Sequence, residues 1–288
     1  RSIAEGNTVI AIVAPSFVGQ FGKNVTVPKF VAAMKQLGFS DVVEVAAGAD
    51  VCAIEEARDF VEKVPAQQKF LATSCCPSWR MMARRLFPNE SGNISMTYTP
   101  MIYTARLVKH TDPGSKVVFI GPCAAKKLEA MQQELRSDVD FVLTYEELMG
   151  IFEAKAIDFS QLPDTQELHD ASGLGRGFAA GGAAAVEEVL RRTQPDMEIK
   201  IQRADGLREC RRLLTLAKEG KLDGFLLEGM ACPGGCVAGA GTIIPAEAAK
   251  KQLDVHVRQA EVFSCAESPY RAFAGLLEEP AAREETKR

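Results

Sequence analysis

Three short turns concentrate the residues that can do chemistry. The first reads Thr73-Ser74-Cys75-Cys76-Pro77-Ser78-Trp79 and the second Gly121-Pro122-Cys123-Ala124-Ala125-Lys126-Lys127. The third reads Glu228-Gly229-Met230-Ala231-Cys232-Pro233-Gly234-Gly235-Cys236. The first two follow strand-like runs, and the first opens a helical pattern, so backbone N–H groups converge there and favour the negative charge of thiolate or sulfide. Lys126 comes about one helical turn after Cys123, so its ammonium can reach over the same pocket and hold a small anion. Cys232 and Cys236 stand four apart in a Gly/Pro turn and can chelate one cluster, while the glycines let the backbone approach a bulky inorganic ligand. Cys76, Cys123, Cys232 and Cys236 satisfy a tetrahedral zinc site. Four thiolates from three separated turns suit a cubane [4Fe–4S] cluster at least as well, because structural zinc usually pairs local knuckles.

The other candidates are weaker. Cys52, Cys210 and Cys265 read as small core residues. A Cys-nucleophile enzyme is disfavoured, since none of His110, His169 and His256 has a local pairing signal. Eight cysteines with three histidines in 288 residues point to thiolate–metal chemistry rather than a disulfide framework, which a chain of this length does not need.

The elements that must position these turns alternate. Strands are expected at Thr8–Val13, Val42–Val45, Phe70–Thr73, Lys116–Ile120, Val139–Thr144 and Leu222–Glu228. Helices are expected at Pro28–Leu37, Ala53–Val64 and Gly206–Lys218. The alternation predicts an α/β fold with two lobes of mixed or parallel sheets flanked by helices, the site buried between them. Residues 154–182, rich in turn formers, mark the crossover, giving lobes at about 1–153 and 154–279 with a charged tail at 280–288. The first lobe is expected to carry the Cys76 and Cys123 turns and the second the Cys232–Cys236 turn.

Composition narrows the function. Hydrophobic residues at 47% and charged residues at 25% describe an ordinary globular chain and exclude a disordered or fibrous one. The net charge of −4 argues against a nucleic-acid partner. No apolar stretch is long enough for a membrane span, and no signal-peptide pattern opens the sequence, so a cytoplasmic location is expected.

The three turns match, in order and character, the signature motifs of the [FeFe]-hydrogenases: TSCCPxW, PCxxKxxE and ExMxCxxGC. Here they run from Thr73 to Trp79, from Pro122 through Lys126 to Glu129, and from Glu228 through Met230 to Cys236. Ala14-Pro15, the Gly22–Thr26 loop, Gly48-Ala49-Asp50 and Gly181-Gly182 also resemble family landmarks, so the likeness runs from about Ala11 to Glu278. The resemblance implies a single H-cluster domain. That cluster is a [4Fe–4S] cubane joined through one cysteine sulfur to a two-iron centre bearing CO, cyanide and an azadithiolate. Cys76, Cys123, Cys232 and Cys236 would bind the cubane, and Cys236 would bridge to the two-iron centre. Lys126 would hold an iron-bound cyanide, with Pro15 and Ser16 near the second cyanide and Met230 lining the centre. A proton relay would run from Cys75 through Glu56 and Ser95 to Asp59.

The implied activity is reversible reduction of protons to H2, with electrons from a ferredoxin or an associated iron–sulfur domain, after assembly by dedicated maturation proteins. Three rivals stand beside it: a non-catalytic iron–sulfur assembly protein of the same fold, an H2 sensor, and a plain zinc protein. The sequence departs from the family pattern at Gly121, where methionine is common, and at Met101, where many members carry glutamine. It departs again at Gly239-Ala240-Gly241, not three glycines, and at Asp59, not glutamate. Most of these changes would touch the surroundings of the two-iron centre, and they point to a less-studied branch. The lack of cysteine before Cys52 predicts a minimal enzyme or an excised fragment, without N-terminal ferredoxin-like domains.

Overall fold

The structure is a computed structural model and describes residues 2–165 and 168–277; the expected tail at 280–288 lies outside the described residues. In chain order the elements are β1 (Val9–Val13), α1 (Val27–Gln36), β2 (Asp41–Glu44), α2 (Ala46–Lys63), β3 (Leu71–Ala72) and α3 (Pro77–Leu86). Next come α4 (Pro100–Thr111), β4 (Lys116–Gly121), α5 (Ala125–Ala130), β5 (Phe141–Thr144), α6 (Tyr145–Ala154) and α7 (Gly173–Gly177). The chain continues through α8 (Ala183–Thr193), β6 (Lys200–Asp205), α9 (Leu207–Lys218), β7 (Phe225–Met230) and α10 (Ala246–Arg258).

Two parallel sheets form, one in the order β2-β1-β4-β5 and one in the order β3-β7-β6. β1 is apolar at every position because both its faces are covered. Val9, Ala11 and Val13 pack with α1, α6 and α10, while Ile10 and Ile12 pack with α4. In the smaller sheet Leu71 and Leu226 face α2, α4 and α8, and Ala72 and Leu227 face α3 and α9. α4 therefore serves both sheets: Met101, Ile102 and Ala105 on one side, Tyr103 and Leu107 on the other. Pro100–Lys109 is accordingly buried all round, and its polar members Thr104, Arg106 and Lys109 are each hydrogen-bonded.

Two departures from the sequence expectation have physical causes. α2 starts at Ala46 rather than Ala53, because Gly48 is not a breaker but a contact point. A Cβ there would sit 2.3 Å from Thr104 Oγ1 and 2.4 Å from the Pro100 carbonyl of α4. The Cys76 turn follows β3, which pairs with β7 in the smaller sheet, not with the sheet of β1 and β4. Sheet membership thus does not follow one cut along the chain. Among the described residues no helix is long and apolar enough to cross a membrane.

Candidate metal centre

The first and third turns meet because β3 and β7 are neighbours. Cys76 is the N-cap of α3, with Pro77 in the first turn. Trp79 is buried and its indole N–H donates to the Thr73 carbonyl at 3.1 Å, closing the turn. The indole lies over Gly229, where a Cβ would be 2.2 Å from the ring. Gly229→Ala is expected to lower stability by about 1–3 kcal/mol through overpacking, read as a shifted urea midpoint with an unchanged slope. From the next turn Ala231 N–H donates to Cys76 Sγ at 3.4 Å. Gly234 and Gly235 take φ of +88° and +86°, the left-handed region that glycine enters freely.

The second and third turns also meet. Gly241 N–H donates to the Pro122 carbonyl at 2.8 Å, and a Cβ on Gly239 would lie 2.4 Å from that same oxygen. Ala240 between them is exposed, so the middle of this run needs no glycine. The three turns thus bring Cys76, Cys123, Cys232 and Cys236 into one region. Burial pushes the Cys236 thiol up, and the charges of Cys76, Cys123 and Cys232 push it further while Lys126 opposes them. No group of three His, Cys, Asp or Glu side chains among the described residues is tight enough for a single metal ion. A cubane holds its ligands at its corners, farther apart than one tetrahedral ion does, so this spread fits a cubane better than zinc, while the all-sulfur donor set suits both.

Beside Cys123 and Cys236 lies a cavity of about 70 Å³, lined also by Cys75, Lys126, Met230 and Pro15. Its remaining wall is mostly apolar. Lys126 Nζ bonds to Glu129 Oε2 at 2.7 Å and to the Cys75 carbonyl at 3.3 Å. Burial works against its charge, but the Glu129 carboxylate outweighs that, and its pKa is raised. One N–H of the ammonium is left for a ligand in the cavity. A cation and thiols in an apolar hollow fit a small anionic metal centre. Ser16 is buried with its hydroxyl donating to Tyr145 Oη at 2.8 Å, and Tyr145 Oη in turn donates to the Ala14 carbonyl at 3.0 Å. The Ser16 hydroxyl is therefore occupied, while Pro15 reaches the cavity.

The acids lie along α2. Glu56 Oε1 accepts from Ser74 N–H at 2.8 Å and lies 3.2 Å from the Ser74 hydroxyl; Oε2 is buried without a partner. Ser95 Oγ donates to Asp59 Oδ2 at 2.8 Å or to Thr97 Oγ1 at 2.8 Å. Asp59 and Thr97 line an open surface hollow. The structure joins Ser95 to Asp59 directly, and holds Glu56 through Ser74, whose hydroxyl donates to the Thr97 carbonyl at 2.6 Å.

Burial pushes the Glu56 carboxyl up from 4.5 to about 7; the Ser74 donors oppose this, and the charges of Glu228 and Asp59 add to it. Between those two values the folded chain keeps a proton that the unfolded chain has released. Stability therefore falls as pH rises through that window and levels off above it, by on the order of 3 kcal/mol in all. Glu56→Gln is expected to flatten this slope, matching the parent near pH 4 and exceeding it near pH 8. Urea unfolding of both proteins across that range checks it; parallel slopes would contradict the assignment.

Cys52, Cys210 and Cys265 are fully buried, as expected of core residues, and burial raises all three thiols, Cys210 to about 12. Sequence reasoning missed Ser74, Thr97 and Tyr145. Ser74 sits inside the first motif and Thr97 two residues past Ser95, so proximity was the available signal; nothing local marked Tyr145. Glu228, noted only as a motif residue, is buried and accepts the N–H groups of Gly182 and Ala183 at 2.5 and 3.0 Å, capping α8.

Fold and thiols together place the chain among iron–sulfur proteins built on parallel α/β sheets. It belongs to the iron-only hydrogenase family: the profile of the iron only hydrogenase large subunit, C-terminal domain, matches residues 7–240. It is 29% identical over 264 residues to the periplasmic [Fe] hydrogenase large subunit of Nitratidesulfovibrio vulgaris, covering 76% of this chain and 63% of that protein. It is 26% identical over 283 residues to the cytosolic iron-sulfur assembly component 3 of Bos taurus, covering 79% and 59%. The chain thus spans about six-tenths of the length of these relatives. Its fold matches a variant of [FeFe]-hydrogenase HydA1 from Chlamydomonas reinhardtii with a TM-score of 0.72 at 19% identity, covering 95% of this chain and 91% of the other.

Proposed function

We propose that this chain is a hydrogenase catalytic domain that reversibly combines two protons and two electrons into H2. The observation that carries the reading is the file of proton-carrying groups between the surface and the cavity. Asp59 opens on the surface and bonds to Ser95; Glu56 stands further in with a free buried oxygen; Cys75 lines the cavity. A cluster scaffold has no use for such a file. Glu56, poised at about 7, can both take and give a proton near neutrality. Burial keeps Cys75 a thiol, with Glu56 and Glu228 adding to the effect, so it can stand as the last donor.

Cys76, Cys123, Cys232 and Cys236 would hold the cubane, and Cys236 would also meet the two-iron centre. When bound, that H-cluster, with its CO, cyanide and azadithiolate ligands, supplies the site where electrons and protons combine. Lys126 would bind a cyanide, with Met230 and Pro15 as walls, and Ser16 would contribute through its backbone. The Ala231 N–H bond to Cys76 Sγ would stabilise the more negative state of the cluster. Electrons would come from a ferredoxin or a linked iron–sulfur domain, and the two-iron centre from maturation proteins. A cytoplasmic location is part of the proposal: all eight cysteines are free thiols, which suits a reducing compartment.

A second reading, iron–sulfur assembly without H2 chemistry, is favoured by the assembly-component relative. An H2-sensing role would use the same cluster. Maturation of the chain, then infrared spectroscopy and an H2 assay on one sample, separates these readings. Bands of iron-bound CO and cyanide with H2 turnover support the enzyme; bands with only traces of turnover favour the sensor. A cubane without bands favours assembly.

A further inference from the structure

The geometry points to Phe119 as the residue that sets the inner wall of the cavity. From position 119 it fills the space that a side chain at 121 would claim, and with Met101 it makes a corner suited to small apolar gas molecules.

β4 alternates, so Val117, Phe119 and Gly121 share one face, directed at α4. Gly121 has an ordinary strand backbone, paired with Thr144 across to β5, and no left-handed φ calls for glycine there. The reason is steric. A Cβ at 121 would lie 2.4 Å from Phe119 Cζ, 2.6 Å from Cε1 and 3.3 Å from Ala14 Cβ. The Phe119 ring leans along the strand and covers the residue just before Pro122 and Cys123. Phe119 and Met101 are buried and both line the cavity, as do Ala14, Val45 and Ala49. Neither side chain offers a strong hydrogen-bond donor. The polar groups of the cavity, Lys126 and the thiols of Cys75, Cys123 and Cys236, come from other elements. The two departures from the family pattern at 101 and 121 are thus one feature: a wall of thioether and aromatic ring, with the glycine left small to admit the ring. Apolar hollows stay dry and take apolar atoms such as xenon.

The identity of the natural gas as H2 rests on the proposed hydrogenase reading; the assignment of the wall does not. The test therefore uses the full chain as purified, before any maturation, and H2 turnover plays no part in it. The first readout is the thermal midpoint of Gly121→Met, Phe119→Ala and the double variant. Gly121→Met alone is expected to unfold well below the parent, and the double variant above Gly121→Met, since the removed ring makes room for the new side chain. If Gly121→Met does not fold, the cycle of Gly121→Ala with Phe119→Leu is read the same way. Effects that simply add in both cycles would overturn the coupling. The second readout is xenon binding by 129Xe NMR. Phe119→Ala is expected to bind xenon at least tenfold more tightly than the parent, and Gly121→Met on top of it to cancel that gain. Equal affinity in the parent and Phe119→Ala would overturn the gas corner.

Discussion

Replacing Cys236 with alanine is expected to remove nearly all cluster iron from the reconstituted protein. The thiol sits where the third turn meets the cavity, and it feels the charges of Cys76, Cys123 and Cys232 together. In the proposed ligation its removal would take one corner from a four-thiolate site and also the link to a two-iron centre. Serine at position 76, 123 or 232 should impair the cubane strongly as well, since an alkoxide is a poor substitute for a thiolate on iron. Cys210→Ala is the control. Cys210 Sγ donates to the Ala204 or Met230 carbonyl at 3.4 Å and fills the α9 side of the core. Its loss should cost about 1–2 kcal/mol of stability and leave iron per chain unchanged. Iron analysis and the cubane absorbance on all five variants check the set. An empty site in Cys210→Ala would sink the assignment of ligands.

Cys75→Ala is expected to keep the iron and the infrared bands of a matured sample while lowering H2 turnover by about 10²- to 10⁴-fold, the usual worth of a positioned proton donor. Cys75 lies beside a proposed ligand, lines the cavity, and has its carbonyl held by Lys126. Cys75→Ser should also be poor, because a hydroxyl gives up its proton far less readily than a thiol. Glu56→Gln should lose nearly as much, since an amide cannot exchange a proton as a carboxyl does. Asp59→Asn should lose less: Thr97 opens on the same surface hollow and shares the Ser95 hydroxyl, so solvent has a second way in. Rates are to be expressed per matured centre. Near-normal turnover in both Cys75→Ala and Glu56→Gln would mean that protons travel elsewhere.

The three cysteine turns were legible because each is local: a strand end and a turn within a dozen residues, with a helix start directly after the first two. The strands flanking them were legible for the same reason, as apolar runs buried on both faces. β6 was not, because Lys200–Asp205 is a largely exposed edge strand with little apolar signal. The place of β3 was hidden too, since two residues pair with a strand about 150 positions away. Long-range polar contacts left no local trace: Glu44 is buried between Arg176 at 3.0 Å and His256 at 2.7 Å, tying β2 to α7 and α10. Gly121 was visible as a departure, but its cause, the ring of Phe119, needed coordinates.

α2 has a consequence for how this chain can change over time. Ala49 borders the cavity, while Asp59 faces the open hollow, and one unbroken helix joins them. At about 1.5 Å per residue the stretch measures about 15 Å, so the depth of the site below the surface is fixed by a rigid ruler. Gly48, pressed against Thr104, anchors one end of it. An inserted or deleted residue between Gly48 and Glu56 would turn both acids by about 100° around the axis. Point substitutions along this segment can be sampled one at a time, but a change of length cannot, and lineages carrying this site should vary in its letters while keeping its count.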